Sequence, residues 1–333
     1  MYCFSMDHFT LFTKEENILI IGIPKALYYY RYGTLWTEFF QALGCDVLVS
    51  PDTNRALLAS GSKLSIDEGC LSLKIYLGHA AWLLPRCDYL FVPRIANFGW
   101  VDSGIKKICC PRFEALHDVV RNTFRADQSK ILGCEIDYID VSSLGVHTEE
   151  RAFLALGKQL GKSRDEIVAA FRHAKQADAA RQAEEAWEQQ RRLQSNGVKI
   201  LMAGHGYVLH DPYVGVPAQQ ILEKMGVTPI FSDQLDRAAC LSLGGKLSPT
   251  VPWEVNREVF GAVQLCRDRV DGILLMSAFP CGPDSMTNDM MLRRVKDVPI
   301  LTVLVDNQSG VAGLETRLES FVDILNFRKG RAV

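Results

Sequence analysis

The sequence predicts an α/β fold of two doubly wound, parallel-sheet, Rossmann-like domains that face a central cleft and are joined by a long helical segment. Short apolar runs alternate with helical stretches through both halves, the pattern of parallel strands with crossover helices. Between the halves, Ala, Gln, Glu and Arg fill 165–194 almost without Gly or Pro, as in one long helix. A second alternating unit starts at Val198, which places a boundary near Asn196-Gly197. The expected organisation is therefore an N-terminal α/β domain over 1–147, a helical connector over 148–196 and a C-terminal α/β domain over 197–333. A chain of 333 residues has the length of about two domains.

The elements follow in order. Residues 17–23 form an apolar strand that stops at Pro24, 32–43 a helix and 47–50 a short strand. A helix around 76–84 precedes a strand over 88–93, and a helix opening at Pro111 runs to about Arg121. In the second half 198–203, 228–231, 271–278 and 299–305 are strands, with helices over 217–225 and 287–296. Facing halves of this kind bring strand carboxyl ends to one crevice, where open α/β sheets bind ligands. Pro24, Arg94, His205, Cys281 and Asp306 all follow strand ends and are expected to line it.

Composition removes several function classes. A net charge of −2 and a pI near 6.4 leave no electrostatic footprint for nucleic acid. No stretch of 18 apolar residues occurs and the first residues lack a basic region, so the expectation is a cytoplasmic chain that is neither exported nor membrane-spanning. In a reducing compartment the ten cysteines are thiols, metal ligands or redox groups in preference to a disulfide framework. No CxxC pair exists, so any metal cluster must be assembled from distant loops. Neither a G-x-G-x-x-G nor a G-x-x-x-x-G-K-[ST] motif is present, which argues against a Rossmann dehydrogenase or an ATPase.

Three cysteines share one setting. Cys281 follows the apolar run 273–278 and sits in Pro280-Cys281-Gly282-Pro283-Asp284-Ser285, a turn into a helix. Cys70 lies in Asp67-Glu68-Gly69-Cys70, just ahead of another helical run. Cys110 precedes Pro111, a residue suited to the first helical position. Helix-opening N–H groups favour an anion such as a thiolate or a metal–sulfide cluster; the alternative for each is a small apolar residue in a turn. Cys3, Cys45, Cys87, Cys134, Cys240 and Cys266 read as core or incidental residues.

Five segments then carry a resemblance: Ile21-Gly22-Ile23-Pro24-Lys25-Ala26-Leu27, Asp67 through Lys74, Cys110-Pro111-Arg112-Phe113, Cys281 through Ser285, and Ala312 through Phe321. Over roughly 18–325 the chain resembles the acyl-CoA dehydratase activase-related proteins, which occur fused to or beside ATP-dependent activases. These are similar to the catalytic subunits of 2-hydroxyacyl-CoA dehydratases and benzoyl-CoA reductases. The resemblance implies that Cys70, Cys110 and Cys281 ligate a [4Fe–4S] cluster with one open iron, and that an ATP-dependent activase donates the electron. It implies a 2-hydroxyacyl-CoA dehydratase-like lyase or reductase, with an acyl-CoA substrate whose phosphates could meet Lys25, Arg94 and Arg317. Structural pairing is the alternative for those three cations. Gly69 and Ser72 depart from the Ala and Pro usual in relatives, and Cys109 is an extra thiol that could replace Cys110. Three readings stay open beside the enzyme: an electron relay or cluster carrier, a double-cubane-type small-molecule reductase in which two chains of a dimer pool ligands, and a metal-free thiol protein.

Overall fold

The computed structural model describes residues 18–100, 104–137, 148–307 and 311–330. In chain order the strands are β1 (Ile20–Ile23), β2 (Asp46–Val49), β3 (Tyr89–Phe91), β4 (Arg94–Asn97), β5 (Ile131–Leu132), β6 (Glu135–Asp137), β7 (Lys199–Ala203), β8 (Thr228–Phe231), β9 (Gly272–Ala278) and β10 (Ile300–Val305). They form two four-stranded sheets, β2-β1-β3-β5 and β10-β9-β7-β8, and a two-stranded sheet of β4 and β6. Every strand pairing is parallel, and helices alternate with the strands, as the apolar runs predict. Strand β9 is buried along its whole length, which is why it reads as a continuous apolar run without alternation.

Several boundaries differ from expectation for local reasons. The strand expected over 88–93 is β3, which ends at Phe91; after Pro93, which has no N–H for a ladder, the chain leaves the first sheet and pairs as β4 with β6. The helix expected from 287 opens at Gly282, because Pro283 occupies the first turn, where its missing N–H costs nothing. The stretch after Cys110 breaks at Ala115 into Pro111–Glu114 and Leu116–Thr123. The helix ahead of β3 starts at Leu71, directly after Cys70.

The helical connector is two helices, Thr148–Gln159 and Arg164–Leu193. Gly161 turns the chain between them with φ of +73°, a left-handed conformation suited to glycine. Ser163 and Glu166 then close a capping box on the second helix. At 30 residues that helix is about 45 Å long. It is not wholly solvated. Ile167, Ala170 and Ala174 pack into the core around Phe39 and Phe153, and Leu193 joins the core under β7 and β9. Its buried Gln189 accepts the Phe231 N–H at 2.9 Å and donates to Gln234 Oε1 at 2.8 Å. The helix is thus a strut anchored in both sheets.

A third core draws on both halves, from Leu71, Leu77, Leu83 and Leu90 to Leu209, Met276 and Leu318. Beside it, polar groups tie the halves together. His79 is bonded to Ser50 Oγ (2.7 Å) and Thr53 Oγ1 (3.0 Å), and Thr53 donates to Asp211 Oδ2 at 2.5 Å. Asp211 also accepts the Tyr213 and Val214 N–H groups. All four side chains are buried. Burial, helped by the charge of Lys25 and opposed by Asp52, lowers the His79 pKa to about 4.

A stability prediction follows from that value. As pH falls below about 6.5 the unfolded chain takes up a proton that folded His79 refuses until about pH 4, so stability is lost across that window, by roughly 3 kcal/mol at its lower end. Urea unfolding should show His79→Gln less stable than wild type at pH 7, with the gap narrowing toward pH 4. His205 and His210, whose pKa values are raised, act in the opposite direction in both proteins and cancel from the difference. A gap that stays constant with pH would contradict a neutral, buried His79.

Candidate functional site

The three cysteine loops meet. Cys70, Cys110 and Cys281 each take an extended backbone as the N-cap of a helix, ahead of Leu71–Leu83, Pro111–Glu114 and Gly282–Arg294. The Leu71 N–H donates to the Phe279 carbonyl at 2.8 Å, joining the Cys70 turn to the cis-Pro280 turn that presents Cys281. Arg112 Nη2 donates to the Glu68 carbonyl at 2.9 Å, joining the Cys110 turn to the Cys70 turn. Between the loops lies a cavity of about 560 Å³, walled by the three cysteines with Leu27, Leu73, Phe113, Val208, Pro280, Tyr207, Arg112, Glu68 and Asp284.

Glycine at position 69 suits this packing, since a Cβ there would press on Ser65 Oγ and the Ile66 carbonyl and make them shift. Ser72, the second residue of its helix, keeps a backbone N–H beside Cys70 that a proline would lack. The two departures from the expected motif are therefore accommodated, and the second adds a donor.

Burial dominates the thiol electrostatics. It raises the Cys70 pKa against the N–H groups of Leu73, Cys70 and Ser72 and the charge of Arg112. It raises Cys110 against the N–H groups of Phe113 and Arg112. Cys281 is raised most, because Asp284 adds its charge to the burial. As free thiols all three stay protonated at neutral pH, the opposite of an activated thiol nucleophile.

A buried polar chain stands behind Cys281. Tyr207 hydrogen-bonds His205 Nδ1, and His205 Nε2 lies 3.1 Å from Asp284 Oδ1, within ion-pair distance but off the line of a good hydrogen bond. Asn256 Nδ2 donates to Asp284 Oδ1 at 2.8 Å and to Thr287 Oγ1 at 3.0 Å. Burial opposes charge on both His205 and Asp284, yet their mutual attraction wins: His205 is raised and Asp284 lowered.

Cys109 turns away from the cavity into the core of the first sheet. Its Sγ lies 2.7 Å from Tyr28 Oη, and burial pushes its pKa up to about 12. Cys45, Cys87, Cys134, Cys240 and Cys266 are core residues, and Cys3 lies outside the described residues. Of the five residues expected around the cleft, only Cys281 lines the cavity, with His205 one step behind Tyr207. The three candidate phosphate cations stand elsewhere. Lys25 pairs with Asp52 at 2.5 Å. Arg94 opens β4, just after Pro93, with Nη1 3.6 Å from Asp118 Oδ2. Arg317 donates to the Thr302 carbonyl at 2.5 Å. Sequence reasoning missed Arg112, Phe113 and Tyr207 as cavity residues, although the first two lie inside the Cys110 motif and the third two positions after His205.

A second, polar cleft of about 470 Å³ lies beside the long helix, lined by Arg31, Arg181 and Arg237 among others. Its arginines are committed within the protein: Arg31 to Glu258, Arg181 to Asp178 and Glu185, and Arg237 to Glu254 and Glu258. The cysteine cavity is the better candidate site. Among the described residues no three His, Cys, Asp or Glu side chains stand close enough to share a single metal ion. Ligands of one zinc ion each sit about 2.0–2.3 Å from it. Thiolates on separate irons of a cube stand farther apart. Among the described residues no helix is long and apolar enough to cross a membrane.

No curated protein matches the chain significantly. Among solved structures, the SBP FpvC from P. aeruginosa in complex with Ni2+ aligns at 11% identity over 95% of this chain and 99% of its own, with a TM-score of 0.29. The C-terminal domain of glucosamine-fructose-6-phosphate aminotransferase from Francisella tularensis aligns at 11% identity over 95% and 86%, with a TM-score of 0.23. Neither likeness is close enough to bear on this chain's chemistry. A family model described as the CoA enzyme activase uncharacterised domain matches residues 20–235, more than half of the chain and including the Cys70 and Cys110 loops. The chain belongs to the CoA enzyme activase uncharacterised domain family.

Proposed function

We propose that this chain is an iron–sulfur protein of ATP-coupled, low-potential electron transfer, in which Cys70, Cys110 and Cys281 hold a [4Fe–4S] cluster. The observation that carries the reading is the convergence of three thiols, each at a helix start, on one cavity. When bound, such a cluster supplies one-electron chemistry and one iron free of protein ligands. The chain's own part is threefold. Leu27, Leu73, Phe113 and Val208 give the cavity an apolar wall that limits water. The N–H groups of Ser72, Leu73, Arg112 and Phe113 and the Arg112 guanidinium stabilise negative charge on sulfur. Binding a metal offsets the burial that otherwise keeps the thiols protonated.

In this reading the electron comes from a partner ATP-dependent activase in the cytoplasm, and the reaction reduces or dehydrates an activated small molecule such as an acyl-CoA. Family membership supports a working relationship with a CoA enzyme activase.

Protein purified without oxygen should carry about four irons and matching acid-labile sulfide per chain. Single changes of Cys70, Cys110 or Cys281 to Ala should each remove most of the iron, while Cys109→Ala, Cys240→Ala and Cys266→Ala retain it. Full iron in the first three variants would sink the assignment. A second measurement is electrochemical: Ser72→Pro deletes one N–H beside Cys70 and should shift the cluster to a lower potential at unchanged iron content. An unchanged or raised potential would show that this N–H does not reach the site.

A further inference from the structure

We propose that two copies of this chain associate through strand β10, pairing antiparallel about Thr302 so that the second sheet continues from one copy into the other. The association stands apart from the cluster reading and needs no iron.

The two edges of the second sheet differ. At β8 the long helix covers the edge: Pro229 has no N–H to offer, its carbonyl accepts Arg192 Nη1 at 3.2 Å, and the Phe231 N–H donates to Gln189 Oε1 at 2.9 Å. At β10 a single side chain reaches the edge among the described residues, with Arg317 Nη2 donating to the Thr302 carbonyl at 2.5 Å. The strand reads Ile-Leu-Thr-Val-Leu-Val, six residues with neither charge nor proline, a composition that monomeric proteins avoid on an edge. By contrast β2, an edge of the first sheet, has four residues and opens on exposed Asp46. Backbone geometry tells which groups of β10 are open. The Pro299 and Val305 carbonyls accept the Ile273 and Phe279 N–H groups, so the odd-numbered residues face β9. The even-numbered Ile300, Thr302 and Leu304 therefore direct their N–H and C=O groups outward.

A second copy running antiparallel matches this edge. With the two-fold axis at Thr302, Ile300 faces Leu304 of the second copy, Thr302 faces Thr302, and Leu304 faces Ile300, each pair exchanging both N–H···O bonds. Apolar and Thr–Thr pairs are favourable cross-strand neighbours, and no like charges oppose each other within the strand. The pairing covers Leu304, which is 49% exposed in the single chain. Charge at the strand ends also fits: exposed Arg294 and Lys296 precede β10 and Asp306 follows it, so the basic end of one strand lies beside the acidic end of the other. Ile324, 53% exposed, lies two turns beyond Arg317 in the helix Val311–Arg328, on the side that reaches the edge. Arg317 itself restrains the association, because its guanidinium must leave the Thr302 carbonyl for the ladder to close and then lies near its own copy across the axis.

The test is sedimentation equilibrium of the full chain, purified without oxygen and with iron counted in the same samples. Wild type should pass from monomer to dimer as its concentration rises toward about 1 mM, and Arg317→Ala should do so at roughly tenfold lower concentration, since one charge-assisted hydrogen bond no longer has to break. Leu304→Lys should stay monomeric. So should Thr302→Pro, whose lost N–H points outward and serves no bond inside the sheet. Hydrogen exchange gives the residue-level reading: the Ile300, Thr302 and Leu304 amides should gain protection with concentration in wild type and not in Leu304→Lys. A wild type that stays monomeric throughout, or a dimer that Leu304→Lys leaves intact, overturns the proposal. A dimer lost when iron is removed from protein that stays folded also overturns it, and would place the contact at the cysteine loops.

Discussion

The hydrogen bond from the Leu71 N–H to the Phe279 carbonyl, 2.8 Å long, joins turns that lie far apart in sequence and belong to different sheets. Without that registry Cys70 and Cys281 would be ordinary turn residues. With it, and with Arg112 binding the Glu68 carbonyl, three helix starts are locked around one space. A backbone-to-backbone contact can hold such a position only if the sheets behind it do not slide. The shared apolar core from Leu71 to Leu318 and the buried His79–Thr53–Asp211 tie supply that rigidity, and the long helix braces both sheets from the other side.

The same burial that fixes the loops sets their chemistry. Desolvation outweighs the helix N–H groups at all three thiols, and the Arg112 charge at Cys70 and Cys110. A thiol placed so is a poor nucleophile, and its position at a helix start would be wasted on redox exchange with solvent. The arrangement makes physical sense as a site completed by something that replaces the protons, and thiolate ligands to iron do so.

Much of this was legible in the sequence, and the reasons it stopped are specific. Cys70, Cys110 and Cys281 were readable because each precedes a helix, a local signal carried by Pro111 and Pro283 and by the apolar run after Cys70. That Cys109 turns into the core while Cys110 faces the cavity is not legible locally, because it depends on Tyr28, 81 residues upstream, whose hydroxyl meets Cys109. Arg94 follows a strand end, and Lys25 and Arg317 lie in segments that carry the resemblance, but neither signal reveals which carboxylate or carbonyl a long side chain will reach. Arg94 also illustrates a topological limit: Pro93 moves the chain into another sheet, and no periodicity announces that. The Tyr207–His205–Asp284 chain is not legible in the sequence, because His205 and Asp284 meet only when the second sheet is folded.

If Cys70, Cys110 and Cys281 hold the proposed cluster, one of its irons differs from the other three. Mössbauer spectroscopy of anaerobically purified protein, enriched in the absorbing iron isotope, measures that directly. A four-iron cluster with one distinct iron is expected, because three cysteines leave the fourth without a thiolate. Iron present as an isolated single ion, or a cluster with four equivalent thiolate-bound irons, would contradict it.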